Sequence, residues 1–264
     1  MDSTHEYYAA KAALEWQIDL GATEAICDVP VNRFEVPDSL PKPKPAVVAP
    51  VSDRVVPAKS DVDAMAVALA AVAGVGDLNA LQAAMASFEL CELKRGARNL
   101  VFADGNPAAK VMIIGEAPGR DEDLAGKPFV GRAGQLLDKM FAAIDLSRSA
   151  TEADKAIYIT NVLPWRPPQN REPSPEEIAM MLPFLKKHVE LVQPDLLVLM
   201  GNVSCQAVLG RKGITRMRGN WDIAFGVPAM PMFHPAYLLR NPAAKREAWH
   251  DLLMVQARIR GGDA

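Results

Sequence analysis

The sequence predicts an α/β fold: a three-layer α/β/α sandwich around a central four-stranded parallel sheet. Short apolar runs such as Val111-Met112-Ile113-Ile114 alternate with segments of helical periodicity, the pattern of parallel strands joined by crossover helices. Half of the 264 residues are apolar, enough to bury one substantial core with residues left for an appendage. Polar, glycine-punctuated stretches follow the apolar runs, and in an open parallel sheet ligands bind beyond the carboxyl ends of the strands.

In chain order, residues 1–28 form an N-terminal helical segment, with Tyr7, Tyr8, Ala12, Leu14, Trp16 and Leu20 as candidate contacts. From 29 to 60 prolines recur, and Pro41-Lys42-Pro43-Lys44-Pro45 resembles an extended polyproline spacer, so this stretch is expected to be a flexible linker. The α/β/α domain occupies 61–264. Its lead-in, 61–87, is alanine-rich and reads as two helices broken near Gly74-Val75-Gly76-Asp77. Residues 110–115 read as the first strand and 134–144 as a helix, with Leu136, Leu137, Met140, Phe141 and Ile144 at helical spacing. Residues 156–162 form the second strand. Ser174-Pro175-Glu176-Glu177 is a helix start: serine caps, proline takes the first position and glutamate follows three residues after the serine. Residues 195–200 form a third strand, 202–209 a short helix, 229–233 a fourth strand and 243–260 a closing helix.

The formal charge of −3 by itself argues against a nucleic-acid binder. The distribution matters more. Residues 1–87 carry 6 basic and 12 acidic side chains, whereas 88–264 carry 23 and 20. Between residues 211 and 246, seven basic side chains face one acid, Asp222, a local basic strip of the kind that contacts phosphates. Cys27, Cys91 and Cys205 are odd in number and widely spaced, which excludes a disulfide framework and a close metal-ligand pair. No run of 18 apolar residues exists, and the first residues lack the basic start of a secretory signal. A soluble, cytoplasmic monomer with no membrane contact is expected. No Gly-Lys-Ser/Thr step follows the glycines, which excludes a phosphate-loop nucleotide hydrolase.

Glu116, Asn161 and His234 each fall at or just past the end of an expected strand, which delivers three sequence-distant polar groups to one edge. Around Glu116 runs Gly115-Glu116-Ala117-Pro118-Gly119 with Asp121, Glu122 and Asp123, then Gly126-Lys127-Pro128-Phe129-Val130-Gly131-Arg132-Ala133-Gly134. A glycine-rich turn with clustered acids and one isolated phenylalanine suits a ligand better than a core.

These blocks, with Thr160-Asn161-Val162, Arg166-Pro167-Pro168, Asn170-Arg171 and His234-Pro235-Ala236-Tyr237-Leu238-Leu239-Arg240, resemble the family 4 uracil-DNA glycosylases over roughly residues 88–260. The resemblance implies the same three-layer fold, uracil-containing DNA as partner, and cleavage of the bond between uracil and deoxyribose to leave an abasic site. It implies that the base leaves the stack and lies against Phe129. The Asn161 carboxamide, both donor and acceptor, tells uracil from cytosine, and His234 steadies the departing anion, with backbone amides around Ala117 adding donors. Of the acids, Glu122 is expected to position water and Glu116 to hold the turn and pocket, with the exchanged assignment also open. Leu238 or Leu239 fills the gap left in the DNA stack, and Arg240, Lys245 and Arg246 contact phosphates.

The family holds an iron–sulfur cluster on four cysteines, at positions that here are Phe88, Cys91, Trp165 and Met181. A cluster needs four thiolates. With only Cys91 retained, no cluster, no other metal and no cofactor is expected, and the three apolar residues fill the volume. Two other readings stand beside the enzyme: a relative that crosslinks to the abasic sugar, and a non-catalytic, polymerase-associated module whose acidic N-terminal region docks a protein partner. The first of these carries a histidine-containing insertion where this chain has only Gly131-Arg132-Ala133-Gly134.

Overall fold

The computed structural model describes residues 63–261, within one of the chain's two units, Ser60–Ala264. The expected segments 1–28 and 29–60 lie outside the described residues. Two short helices lead in, α1 (Ala64–Val72) and α2 (Leu78–Ser87), with Asp63 and Asp77 accepting backbone N–H bonds at their starts. The break between them falls where Gly74 and Gly76 stand. After a single turn, α3 (Leu93–Gly96), come β1 (Asp104–Gly105), β2 (Val111–Gly115), α4 (Arg120–Ala125), α5 (Arg132–Ala142) and β3 (Ile157–Asn161). The second half adds α6 (Pro175–Val192), β4 (Leu196–Met200), α7 (Gly201–Leu209), α8 (Ile214–Met217), β5 (Asp222–Ala224), β6 (Val227–Met232), α9 (Pro235–Arg240) and α10 (Lys245–Ile259).

The sheet has six strands in the order β1-β3-β2-β4-β6-β5. The inner four, β3-β2-β4-β6, are parallel, as expected from the apolar runs. The expectation of four strands omits the two edges: β1 and β5 pair antiparallel with β3 and β6. At two and three residues they are too short to show a period of two. Short edges of this kind also limit edge-to-edge pairing with another chain.

Successive residues of a strand point to opposite faces, and here that alternation divides the core into two. Met112, Ile114, Tyr158, Leu197 and Leu199 face one layer with side chains of α1, α2, α6 and α7. Val111, Ile113, Ile157, Ile159 and Val198 face the other with α5, α9 and α10. The capping signal at Ser174 is realised: its hydroxyl accepts from the Glu177 amide while the Glu177 carboxylate accepts from the Ser174 amide. Arg171 clasps the same carboxylate and holds it below the usual carboxylate range.

Phe88, Cys91, Trp165 and Met181 all lie in the first apolar layer, each at most 4% exposed. Phe88 meets Phe184 edge-on with ring centroids 5.2 Å apart. This set offers one thiol and three side chains without a metal-binding atom of the needed kind, so it does not fit a four-thiolate cluster. Among the described residues no group of three or more His, Cys, Asp or Glu could hold a metal ion. Truncating Phe88 should therefore act as an ordinary core cavity: Phe88→Ala is expected to lower unfolding free energy by about 3–5 kcal/mol, read from urea denaturation, without changing iron content.

Candidate active site

β2 connects toward β3 on one side of the sheet, while β4 connects toward β6 on the other. The crevice opened by this reversal lies past the carboxyl ends of β2 and β4, where ligands bind in such sheets. A cavity of about 440 Å³ opens at this edge, lined by Glu116, Ala117, Glu122, Phe129, Asn161 and His234 among others. The residues expected to meet at one rim are thus brought together. Gly115 and Asn161 are register partners on β2 and β3, which sets the Asn161 side chain beside the turn that follows β2.

Phe129 has a left-handed backbone, φ 53°, rare for a bulky residue, and the residue is 6% exposed. The ring lies 5.5 Å from that of His234, tilted by 30°. Gly115 must lack a side chain for this to exist: a Cβ there would stand 2.5 Å from Phe129 Cε2 and collide with Asn161 Oδ1. Gly134 is required for the same reason, since its Cβ would collide with the Phe129 carbonyl oxygen. Asn161 is 7% exposed and makes no side-chain hydrogen bond among the described residues, so its carboxamide is available to the cavity.

His234 sits at the N-cap of α9, and its Nδ1 accepts the Ala236 amide proton at 3.1 Å. An imidazole that accepts at Nδ1 carries its proton on Nε2. Burial, helped by the positive charge of Arg240, pushes the His234 pKa down to about 4, so the ring is neutral at physiological pH. Gly201, with φ +91°, leaves room for it: a Cβ there would be 3.1 Å from that of His234.

The two acids are engaged differently. Glu122 holds the turn: Oε1 accepts from the Val130 and Gly131 amides at 3.0 and 2.9 Å, and Oε2 from Gly119 at 3.1 Å. Glu116, by contrast, has no side-chain hydrogen bond among the described residues and lines both the cavity and an adjoining 350 Å³ recess. Burial, then the neighbouring Glu172, raise its pKa, with Lys212 opposing them. Asp123 is structural, accepting the Arg98 amide at 2.8 Å, and Asp121 is exposed.

Of the expected DNA-facing residues, Leu238 does not fit a wedge. It is 1% exposed and belongs to the core layer beneath α9. Leu239 and Tyr237 are each 37% exposed instead. Arg240 lines the cavity mouth, and Lys245 and Arg246 are exposed on α10; none of the three forms an ion pair among the described residues. Arg211, Lys212 and Arg218 of the basic strip are engaged, with Asp222, Glu172 and Asp251 respectively. Pro167, Asn170, Arg171 and Tyr237 also line the cavity; all four stand inside the quoted sequence blocks, the signal that could have found them. Arg148, which bonds the carbonyls flanking the Phe129 ring, stands in no block and was not anticipated.

Comparison with known proteins agrees with this geometry. Residues 102–253 match the Uracil DNA glycosylase superfamily. The Type-4 uracil-DNA glycosylase of Thermotoga maritima is 40% identical over 154 residues, covering 57% of this chain and 77% of that protein. That of Archaeoglobus fulgidus is 38% identical over 168 residues, 60% of this chain and 80% of the relative. A DNA polymerase of Bacillus phage SP01 is 27% identical over 157 residues, which make up 60% of this chain but only 16% of the polymerase. With an edge cavity built on the matched residues and a profile spanning more than half its length, the chain belongs to the uracil-DNA glycosylase superfamily.

Proposed function

We propose that this protein hydrolyses the N-glycosidic bond of deoxyuridine in DNA, releasing uracil and leaving an abasic site for base-excision repair. The observation that carries the reading is the neutral, Nε2-protonated His234 sharing a cavity with an unengaged Asn161 carboxamide and the Phe129 ring. The flipped base stacks on Phe129. Asn161 pairs with the N3–H and O4 edge, and cytosine leaves that carboxamide mismatched. As the glycosidic bond breaks, negative charge collects on the base, and the His234 Nε2–H donates to O2 without having to lose a proton.

Glu116 orients the attacking water in this reading, because its carboxylate is unengaged while that of Glu122 is committed to three amides. Ala117 contributes its backbone to the pocket rim. Leu239 fills the vacated stack, and Arg240, Lys245 and Arg246 meet phosphates. The same proposal takes the protein as a monomer acting on cytoplasmic DNA. A protein partner for the acidic N-terminal region belongs to the same proposal.

Incubation with uracil-containing single- and double-stranded oligonucleotides, followed by alkaline cleavage, should cut the strand at uracil. His234→Ala should lower kcat by about 10²–10³-fold; no cleavage by the unmodified protein would favour the non-catalytic reading.

Glu116 gives a pH-dependent test. A carboxyl with a folded pKa above its unfolded value of 4.5 binds protons more readily when folded. It therefore destabilises the native state above both values and has no effect below both. Glu116→Gln should raise Tm near neutral pH, with the gain vanishing as pH falls toward 4.5, while kcat drops by about 10²-fold or more.

We further propose that the protein carries no iron–sulfur cluster, on the donor set at Phe88, Cys91, Trp165 and Met181. Anaerobically purified protein should be colourless and contain sub-stoichiometric iron by atomic absorption; stoichiometric iron would overturn this.

A further inference from the structure

The segment that carries Phe129 is held from both ends of its peptide dipoles. Its amides, at Val130 and Gly131, donate to Glu122. Its carbonyls face a cation: Arg148 donates through Nη1 to the Pro128 oxygen at 3.0 Å and through Nη2 to the Phe129 oxygen at 2.9 Å. The guanidinium is itself aimed by two acids, Nε to Asp138 at 2.8 Å and Nη1 to Asp104 at 3.1 Å. The Arg148 side chain is only 16% exposed, and it enters from the connection between α5 and β3, outside every block that identifies the family. Arg148 is not among the residues lining the cavity.

We propose that Arg148 is a positioning residue for base selection: its planar fork holds the Pro128 and Phe129 carbonyls so that Phe129 keeps its left-handed backbone and presents its ring to the base. A left-handed bulky residue persists only where its surroundings over-determine it. Fork geometry is the reason for arginine here; a lysine ammonium cannot serve two carbonyls and two carboxylates in one plane. The inference rests on the reading that Phe129 stacks on uracil.

The test compares Arg148→Met with Asp138→Asn. Asp138 is 48% exposed, and its bond goes to Nε, not to the two nitrogens that serve the carbonyls. Arg148→Met is expected to lower kcat/KM for uracil excision by about 10²-fold, the scale of an ångström-sized misplacement, and to weaken inhibition by free uracil by at least about tenfold over the same displacement. Asp138→Asn should stay within about threefold of the parent, since the amide oxygen can still accept from Nε and Asp104 still accepts from Nη1. Arg148→Lys should follow the methionine variant. A 4-fluorophenylalanine placed at position 129 gives a readout independent of turnover: its ¹⁹F resonance should shift or broaden in Arg148→Met and not in Asp138→Asn. Equal losses in both variants with an unchanged ¹⁹F signal would reduce Arg148 to a surface ion pair and overturn the proposal. So would full activity and an unmoved signal in Arg148→Met. If the parent protein excises no uracil, the functional reading fails, and the ¹⁹F comparison alone then decides whether Arg148 holds the ring.

Discussion

The left-handed backbone at Phe129 is the constraint around which the cavity is arranged, and its neighbours make sense as the means of sustaining it. A bulky residue in that region costs about 1–3 kcal/mol, which the surroundings must outweigh. They do so with charge on both sides of the loop: the Glu122 carboxylate takes the amides and the Arg148 guanidinium takes the carbonyls. Steric room is supplied by Gly115 and Gly134, where any side chain would strike Phe129. Hydrogen bonds to charged groups are stronger than neutral ones, so the loop is held by the better class of bond at each end.

A second arrangement concerns protons. His234 enters with its tautomer already chosen by the Ala236 amide and its charge suppressed by burial. A donor fixed in this way needs no reorganisation when charge develops opposite it. Glu116 stands at the same edge with its acidity weakened by burial and by Glu172. Two titratable groups whose environments move them in opposite directions are the usual mark of a chemical site. The His234 departure keeps the cleft free of an imidazolium charge in the resting protein, while the cations Arg240, Lys245 and Arg246 remain at the rim, where water can solvate them.

Much of this was legible in the sequence, and the exceptions have physical reasons. The four parallel strands announced themselves as buried apolar runs, and the Ser174 cap as a fixed spacing. The edge strands β1 and β5 did not, because two or three residues carry no period. Motif blocks located Phe129, Asn161 and His234. They did not say which of Leu238 and Leu239 faces outward, since both are leucines on one short helix and only packing on the core decides. Which of the Glu116 and Glu122 carboxylates is hydrogen-bonded was equally hidden: it depends on backbone amides, which every residue possesses and no residue name reveals. Arg148 is the strongest case, as its decisive partners are two peptide carbonyls some twenty positions away.

The burial of Phe88, Trp165 and Met181 in the same apolar layer as Cys91 bears on how that part of the molecule responds to temperature. A junction closed by aromatic and aliphatic surface takes its strength from the release of water, so its grip loosens on cooling and its opening carries a large positive heat capacity. Aromatic and aliphatic surface of this kind closes by collapse, in the same step that folds the polypeptide.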